Sequence, residues 1–458
     1  MGTRPFRIYS GPSRVADADT GTGRAPARDV GPPVDPDHPE VRGKRGSSMN
    51  MAHGVPTNDP VVGDAFRSAL DHQFIVVLLL ATLLAIVWNT VRTLRFRRAV
   101  TGGTLGVPLS DPWPYPEPAA RRLLRISFGV IWIFDGILQT QGSMPLGLTG
   151  QVITPAASSS PGWVQHLVNS GVTIWNNHPV SAAAATVWIQ VGIGVFLLVA
   201  PRGRWSRSAG VVSAGWGLMV WVFGEAFGGI FGQGSSWLFG APGAAVFYVA
   251  AGLLVALADP VWETPRLGKA VLRVTGLYFL GMALLQAWPG RGFWTGQPHP
   301  VSTAGTLTAM ERQMAALSQP SLTASWVRDF GSFDAAHGWG VNLVVVVLLA
   351  AIGALMLTGR RGPARVGVAA GIVVCLADWV LVEDFGFFGG VGTDPNSMIP
   401  MALYFSAGYL ATVRLPVRAA APVAQPAEAA VVADGPTDRL DRLHSQSPCR
   451  HNLRARED

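Results

Sequence analysis

Two glutamates in matching surroundings are the residues of this sequence best placed for chemistry. Glu225 and Glu383 both occur in the pattern Trp-Val-x-x-Glu-x-Phe-Gly, which begins at Trp221 and again at Trp379. Each falls toward the end of an apolar segment, where a carboxylate is costly unless it faces protein. Such a group relays protons, contacts an ion or binds a quinone-like headgroup. Alternatively, it is a helix-packing carboxylate bonded to backbone or indole N–H groups, and the sequence leaves both readings open.

Other ionisable residues near the ends of apolar segments are further candidates. Asp135 has no counterpart later in the chain, and Asp378 and Asp384 have none earlier, so any two sites need not be equivalent. His178 and His337 each precede an apolar segment, where a histidine moves protons, binds metal or simply starts a helix. Two histidines and two glutamates do not form a coordination signature. We therefore predict no metal site.

Composition and motifs exclude several classes of protein. The chain has 458 residues, of which 49% are hydrophobic and 14% charged, whereas soluble domains carry about 25% charged residues. The two cysteines, Cys375 and Cys449, form no CxxC motif, so neither a dithiol nor a cysteine zinc site is predicted. The net charge of +7 is scattered in short runs between apolar segments. This distribution favours a lipid bilayer as partner and not a nucleic acid.

Nine apolar stretches are long enough to cross a membrane, since about 20 residues are needed for each span. The expected fold is therefore all-α, a polytopic bundle of about nine transmembrane helices. The predicted spans lie near 74–91, 123–140, 180–200, 208–228, 241–258, 271–288, 340–358, 366–386 and 399–415.

Basic loops orient these spans. The segment 92–122 and the turns 201–207 and 359–365 are rich in arginine, whereas the loops 141–179, 229–240 and 387–398 contain no lysine or arginine. By the positive-inside rule the basic loops and the C-terminus are cytoplasmic, and nine spans place the N-terminus outside the cell membrane.

The two ends of the chain are expected to be disordered. Residues 1–72 are rich in proline, glycine and charge, and 416–458 form an Ala/Pro-rich and then charged cytoplasmic tail. A basic segment outside the membrane is unusual, so we expect residues 1–48 to be a mis-assigned start, with translation beginning at Met49 or Met51. The alternative is a genuine extension with the first span placed differently.

The matching glutamate segments belong to a longer internal repeat. His178 pairs with His337, and Gly194 pairs with Gly353. The predicted units are 121–258 and 270–415, preceded by a leading helix and basic linker at 73–120. Four spans in each unit give both the same orientation, so the repeat is a parallel one.

The layout of each unit resembles the DoxX/DoxD-like membrane family. The residues that carry the resemblance are Arg121, Arg122, Arg125, Phe128 and Gly129 in the first helix, and Gly192, Gly194, Pro201, Arg202 and Gly203 around the second. The resemblance implies a four-helix fold and, for some members, quinone-linked redox chemistry. The usual Gly-x-Lys-Leu-like ending of the first helix is replaced by Gly136-Ile137-Leu138-Gln139, and no catalytic residue is carried over.

Three functions therefore stay open, and with them the question of whether the chain is an enzyme. The first is a quinone-associated membrane subunit of a redox system, with a redox protein partner and Glu225 and Glu383 near the headgroup. The second is a transporter or permease that uses the cleft between the units. The third is a non-catalytic scaffold whose outer loops bind an extracytoplasmic partner.

Overall fold

The chain folds into a bundle of α-helices. The computed structural model describes residues 57–101, 117–232, 235–295, 306–317, 319–388 and 391–413, and these contain no β-strand. The expectation of an all-α fold is confirmed for this part of the chain. The predicted start near Met49 and most of the predicted disordered ends lie outside the described residues.

A leading helix and seven further α-helices make up the chain as far as residue 256. They are α1 (Pro60–Thr101), α2 (Ala119–Leu138), α3 (Met144–Gly147), α4 (Thr154–Ala157), α5 (Gly162–Asn177), α6 (Pro179–Val199), α7 (Gly203–Met219) and α8 (Ala244–Ala256). Two π-helical segments, Leu148–Ile153 and Val220–Gly224, and two 3₁₀ turns, Ala226–Gly229 and Trp237–Phe239, lie between them. We call residues 117–262 the first half.

The second half comprises residues 265–413. A short helix, α9 (Asp259–Trp262), leads into it. Its helices are α10 (Pro265–Ala287), α11 (Thr306–Ala315), α12 (Ser321–Leu357), α13 (Arg361–Leu381) and α14 (Met398–Thr412). Helices α6 and α10 begin with a proline, whose fixed φ suits the first helical position.

Five described helices are long and apolar enough to cross a membrane, as expected of an integral membrane protein. They are α6, α10, α12, α13 and the Pro60–Val91 part of α1. Helices α8 and α14 are apolar but shorter. The other two predicted spans fall on α2, which carries three arginines, and on α7, which has 17 residues. The count of nine spans is therefore not confirmed, although a helix occupies each predicted position.

Helix α1 lies at the edge of the bundle. The Phe74 ring lies 5.1 Å from the Trp188 ring of α6, and the Trp88 ring meets the Trp205 ring of α7 edge-on at 5.6 Å. Most of the apolar side chains of α1 are exposed. Residues 60–72 were expected to be disordered and instead form its first turns. This expectation was wrong because Phe66 is buried in an apolar cluster with Val164 and other first-half residues.

Glycine pairs bring the first two long helices of each half into close contact. A Cβ added to Gly194 of α6 would lie 2.5 Å from the Gly129 oxygen of α2. A Cβ on Gly353 of α12 would lie 2.7 Å from the Gly276 oxygen of α10. Small residues at helix crossings permit this approach in membranes.

Arg121 and Arg125, two of the residues that carry the family resemblance, are buried inside the first half. The Arg121 guanidinium donates to the Val255 carbonyl in the last turn of α8 at 3.0 Å and lies 3.0 Å from the Asp259 carboxylate. Arg125 donates to the Leu197 carbonyl in the last turn of α6 at 2.7 Å. Each guanidinium therefore satisfies carbonyls that have no partner within their own helix.

Candidate functional site

Glu225 lies between α7 and α8 and binds the start of α8. The chain leaves α7 through the π-helical segment Val220–Gly224, and the Glu225 carboxylate accepts hydrogen bonds from the Ala245 N–H at 3.0 and 3.2 Å. Trp221 donates from its indole nitrogen to the Pro242 carbonyl at 2.7 Å. A negative charge here satisfies free N–H groups and complements the helix dipole.

Glu383 makes the corresponding contacts in the second half. Its carboxylate accepts hydrogen bonds from the Ser397 and Met398 N–H groups, each at 3.3 Å, where α14 begins. The Trp379 indole nitrogen donates to the Pro395 carbonyl at 2.9 Å. Both glutamates are thus helix-capping carboxylates, and both tryptophans hold the chain just before the capped helix.

The backbone after each glutamate adopts the same unusual conformation. Ala226, Phe227 and Gly228 have φ values of 49°, 63° and 60°. The same three positions of the second half, from Asp384 to Gly386, have φ values of 47°, 62° and 78°. Consecutive left-handed residues are rare outside glycine. This run turns the chain back after each helix, and Asp384 occupies the place that Ala226 has in the first half.

A cavity of about 410 Å³ lies beside Glu225 in the first half. Its walls come from α2, α5, α6, α7, α8 and both π-helical segments. Three carboxyl groups line it, those of Asp135, Glu225 and Asp394, and the described lining includes no lysine, arginine or histidine. The remaining walls are mainly apolar, a combination typical of small-molecule sites.

Four buried polar atoms around this cavity have no hydrogen-bonding partner among the described residues. They are Asp135 Oδ1, Gln139 Oε1, Gln190 Oε1 and Trp216 Nε1. The other Asp135 oxygen, Oδ2, accepts a hydrogen bond from the Tyr248 hydroxyl at 2.8 Å. Buried polar atoms are usually paired, so unpaired ones on residues that line one cavity make this cavity the candidate binding site.

The mouth of the cavity is lined by exposed apolar side chains. Ile174 of α5, Ile189 of α6 and Met219 of α7 line it and are also 73%, 38% and 51% exposed. Ile189 lies at the middle of a helix long enough to span the membrane. Exposed apolar residues on such a helix are typical of a surface that meets lipid.

The second half supplies one wall of the cavity through the loop before α14. Thr393 and Asp394 line the cavity, and the Gln141 amide donates to the Gly392 carbonyl at 2.9 Å. The Asp394 carboxylate accepts hydrogen bonds from the Asn396 N–H and the Thr393 hydroxyl, each at 2.8 Å. Burial raises the pKa of Asp394 above its ordinary value.

A separate acidic group lies in the second half. Neither carboxylate oxygen of Asp378 or Glu311 has a partner among the described residues. Thr308 donates to the Asp334 carboxylate at 2.5 Å. Burial, with a smaller contribution from Asp334, raises the pKa of Glu311 from 4.5 to about 9. Glu311 is therefore held in its neutral form.

The two predicted histidines mark bends in helices. His178 ends α5 before α6 begins, with φ of −144°, and His337 interrupts α12 with φ of −128°. Both side chains are exposed, and the His337 ring stacks on Phe333 at 4.5 Å. Within the described ranges no three His, Cys, Asp or Glu residues are placed to hold a metal ion.

The structure brings the predicted residues Asp135 and Glu225 to one cavity, with Trp221 on the adjoining turn. It places three other predicted residues, Glu383, Asp378 and Trp379, in the second half. Sequence reasoning did not assign a role to Gln190, Trp216, Tyr248 or Asp394. A lone amide within a long apolar segment is the one signal that could have identified Gln190.

Comparison with known proteins finds no relative of this chain. No family model matches it, and no curated protein or solved structure matches it. Its function therefore has to be inferred from its own geometry.

Proposed function

We propose that this integral membrane protein binds a lipid-soluble molecule of the quinone class in the cavity of its first half. The observation that carries the proposal is the set of four buried, unpaired polar atoms around a mainly apolar space of about 410 Å³. Cavities of about 300–1,000 Å³ with few convergent polar groups hold ligands of this size.

The arrangement suits a ring with oxygen atoms at its edges. The Trp216 indole donates a hydrogen bond, the Gln139 and Gln190 amides donate or accept, and the Asp135 carboxyl accepts or, when protonated, donates. A quinone presents acceptors and its reduced form presents hydroxyl groups, so this set serves both. The apolar mouth at Ile189 and Met219 accommodates a hydrocarbon tail and admits the molecule from the bilayer.

The role of the protein in the cell, its partner and its orientation follow from the same proposal. A quinone-binding membrane subunit would serve a redox system at the cell membrane, with a redox or extracytoplasmic protein as partner. The DoxX/DoxD-like layout of the sequence supports this reading. The basic turns at 201–207 and 359–365 favour a cytoplasmic C-terminus and an N-terminus outside.

We also propose that the two halves are parallel four-helix repeats. Support comes from local features that recur in both. These are the indole-to-proline hydrogen bonds, the capping glutamates, the left-handed runs after them, the close glycine pairs and the bends at His178 and His337.

Transport of an organic cation is the second candidate. It is favoured by the three carboxyl groups around the cavity and by the lack of a basic side chain among its described lining residues. A cationic ligand would gain from the negative charge of ionised carboxyl groups, whereas a neutral quinone would use only their hydrogen-bonding capacity.

Mass spectrometry of protein purified in mild detergent tests the proposal. We expect a bound quinone in the unaltered protein and its loss from Gln190→Leu, which removes the unpaired amide oxygen and leaves an apolar side chain of similar size. Ile372→Leu, a conservative change on a helix that does not line the cavity, is the control. Absence of bound quinone, together with no binding of added decylubiquinone, would contradict the proposal. Saturable binding of a lipophilic amine instead would favour cation transport.

A further inference from the structure

Two glutamines in corresponding positions have opposite environments. Gln139 and Gln286 end the first long helix of each half, α2 and α10. Gln139 lines the cavity, and its buried Oε1 atom has no partner among the described residues. In contrast, Gln286 accepts from the Ser236 hydroxyl at 2.7 Å and donates to the Asn342 side-chain oxygen at 2.8 Å. Ser236 of the first half and Asn342 of the second half therefore satisfy the Gln286 amide, whereas the Gln139 oxygen has no described partner.

The first half supplies the residues that fill the region around Gln286. Ser236 belongs to the loop between α7 and α8, and the adjacent Trp237 is 1% exposed. The Trp237 ring lies 6.1 Å from the Phe279 ring and its indole nitrogen lies 3.4 Å from the Met401 sulfur. The Ser397 hydroxyl donates to the Gly240 carbonyl at 2.6 Å, which holds the loop in place.

The second half makes the reverse contribution through its own loop before α14. This loop carries Asp394 to the cavity of the first half, where it joins Asp135 and Glu225. Because both Asp394 oxygens already accept hydrogen bonds within the loop, the carboxyl group is fixed in position. Each half thus contributes a loop to the other. The loop of the first half closes the region around Gln286, and the loop of the second half completes the cavity of the first half.

We propose that the chain has one ligand site shared by both halves: Asp394 of the second half is part of it, and Trp237 of the first half closes the space where a second site would lie. This rests on the proposed function in that the shared site is the one assigned to a quinone. The second half is then a structural complement to the first, and its Asp394 sets the charge at the headgroup. When ionised, these three carboxyl groups repel an anionic headgroup, and the described lining residues include no basic side chain to offset them.

A matched pair of cysteine variants tests the closure without any ligand. In a Cys375→Ala, Cys449→Ala background, Gln139→Cys and Gln286→Cys are treated with N-ethylmaleimide, and modification is followed by mass spectrometry. We expect the thiol at 139 to react at least ten-fold faster than that at 286. Adding Trp237→Ala should raise the rate at 286 and leave that at 139 unchanged. Equal rates at the two positions in the presence of Trp237 would overturn the proposal.

Binding stoichiometry provides an independent test on the chain without substitutions. Titration with decylubiquinone should saturate at one molecule per chain, and Asp394→Asn should weaken binding at least five-fold. The asparagine keeps an oxygen for the Asn396 N–H, so the loop should stay in place. Two molecules per chain, or unchanged affinity in Asp394→Asn, would overturn the proposal. A complete lack of binding would instead contradict the proposed function, while the thiol rates would still decide whether the second space is closed.

Discussion

The Tyr248 hydroxyl donates a hydrogen bond of 2.8 Å to Asp135 Oδ2, which leaves Oδ1 as the unpaired oxygen beside the cavity. Replacing Tyr248 by phenylalanine removes this donor within the protein interior. An unsatisfied buried acceptor costs about 1–3 kcal/mol. We expect Tyr248→Phe to lower the free energy of unfolding by that order and to weaken quinone binding several-fold.

Thermal unfolding in detergent and a binding titration measure these two effects. Tyr404→Phe is the control, because no hydrogen bond joins the Tyr404 hydroxyl to the described part of the chain. An equal loss of stability in both variants would show that the Tyr248–Asp135 hydrogen bond has no special importance.

The two capping glutamates should respond differently to the same substitution. Glutamine keeps an acceptor for the helix N–H groups and loses about 0.3–1 kcal/mol of charge–dipole interaction. We expect Glu383→Gln to leave ligand binding unchanged, and Glu225→Gln, which alters a cavity wall, to reduce it. Glu→Leu at either position should lower expression. Titration and expression in detergent extracts distinguish these outcomes, and equal binding by the two glutamine variants would contradict the assignment.

Stability should fall with rising pH because of Glu311. Its pKa of about 9 in the folded chain exceeds the ordinary 4.5, so between these values the unfolded state releases a proton that the folded state keeps. The unfolded state is therefore favoured progressively as pH rises through this window. Thermal unfolding from pH 5 to 9 should show this slope, and Glu311→Gln should flatten it. Asp329→Asn, which removes an exposed carboxylate from α12, should leave the slope unchanged.

Two glycines on α10 provide a test of helix packing. A Cβ at Gly276 would lie 2.7 Å from the Gly353 oxygen, whereas one at Gly281 meets nothing within 4 Å. Crowding of this kind costs about 1–3 kcal/mol. Gly276→Ala should therefore lower the midpoint of thermal unfolding, and Gly281→Ala should not. Similar midpoints for both variants would mean that α10 and α12 move apart to accommodate the added methyl group without a loss of stability.

The proposed orientation in the membrane can be tested by cysteine labelling. Ser158 and Arg204 are both exposed, the first in the predicted outer loop and the second in the predicted inner turn. In intact cells an impermeant maleimide should modify Ser158→Cys and leave Arg204→Cys unmodified until the membrane is opened. Modification at 204 from outside would reverse the proposed orientation.

The similarity of the turns around Glu225 and Glu383 could be predicted from the sequence because it depends on residues that are close together along the chain. The Trp-Val-x-x-Glu-x-Phe-Gly pattern identified both turns. Beyond the turns, the 158-residue spacing of the two patterns pairs Pro242 with Pro400, whereas the equivalent indole hydrogen bond goes to Pro395. The loops differ in length, and an ungapped comparison cannot detect the change in register.

The cavity itself could not be predicted in this way. It depends on Asp394, which is far in sequence from Asp135 and belongs to the other half of the chain. It also depends on which of two corresponding glutamines is left unpaired. Gln139 and Gln286 have equal chemistry, and only the positions of Ser236 and Asn342 distinguish them.

The apolar mouth at Ile174, Ile189 and Met219 determines which concentration governs occupancy. A ligand that arrives through hydrocarbon is counted by its mole fraction among the lipids and not by its molarity in water. Occupancy follows mass action within that phase. A hydrophobic molecule that is scarce in the aqueous phase can thus fill the cavity with modest intrinsic affinity. Titrations at different detergent-to-protein ratios should accordingly give different apparent dissociation constants, which converge once expressed per mole of detergent.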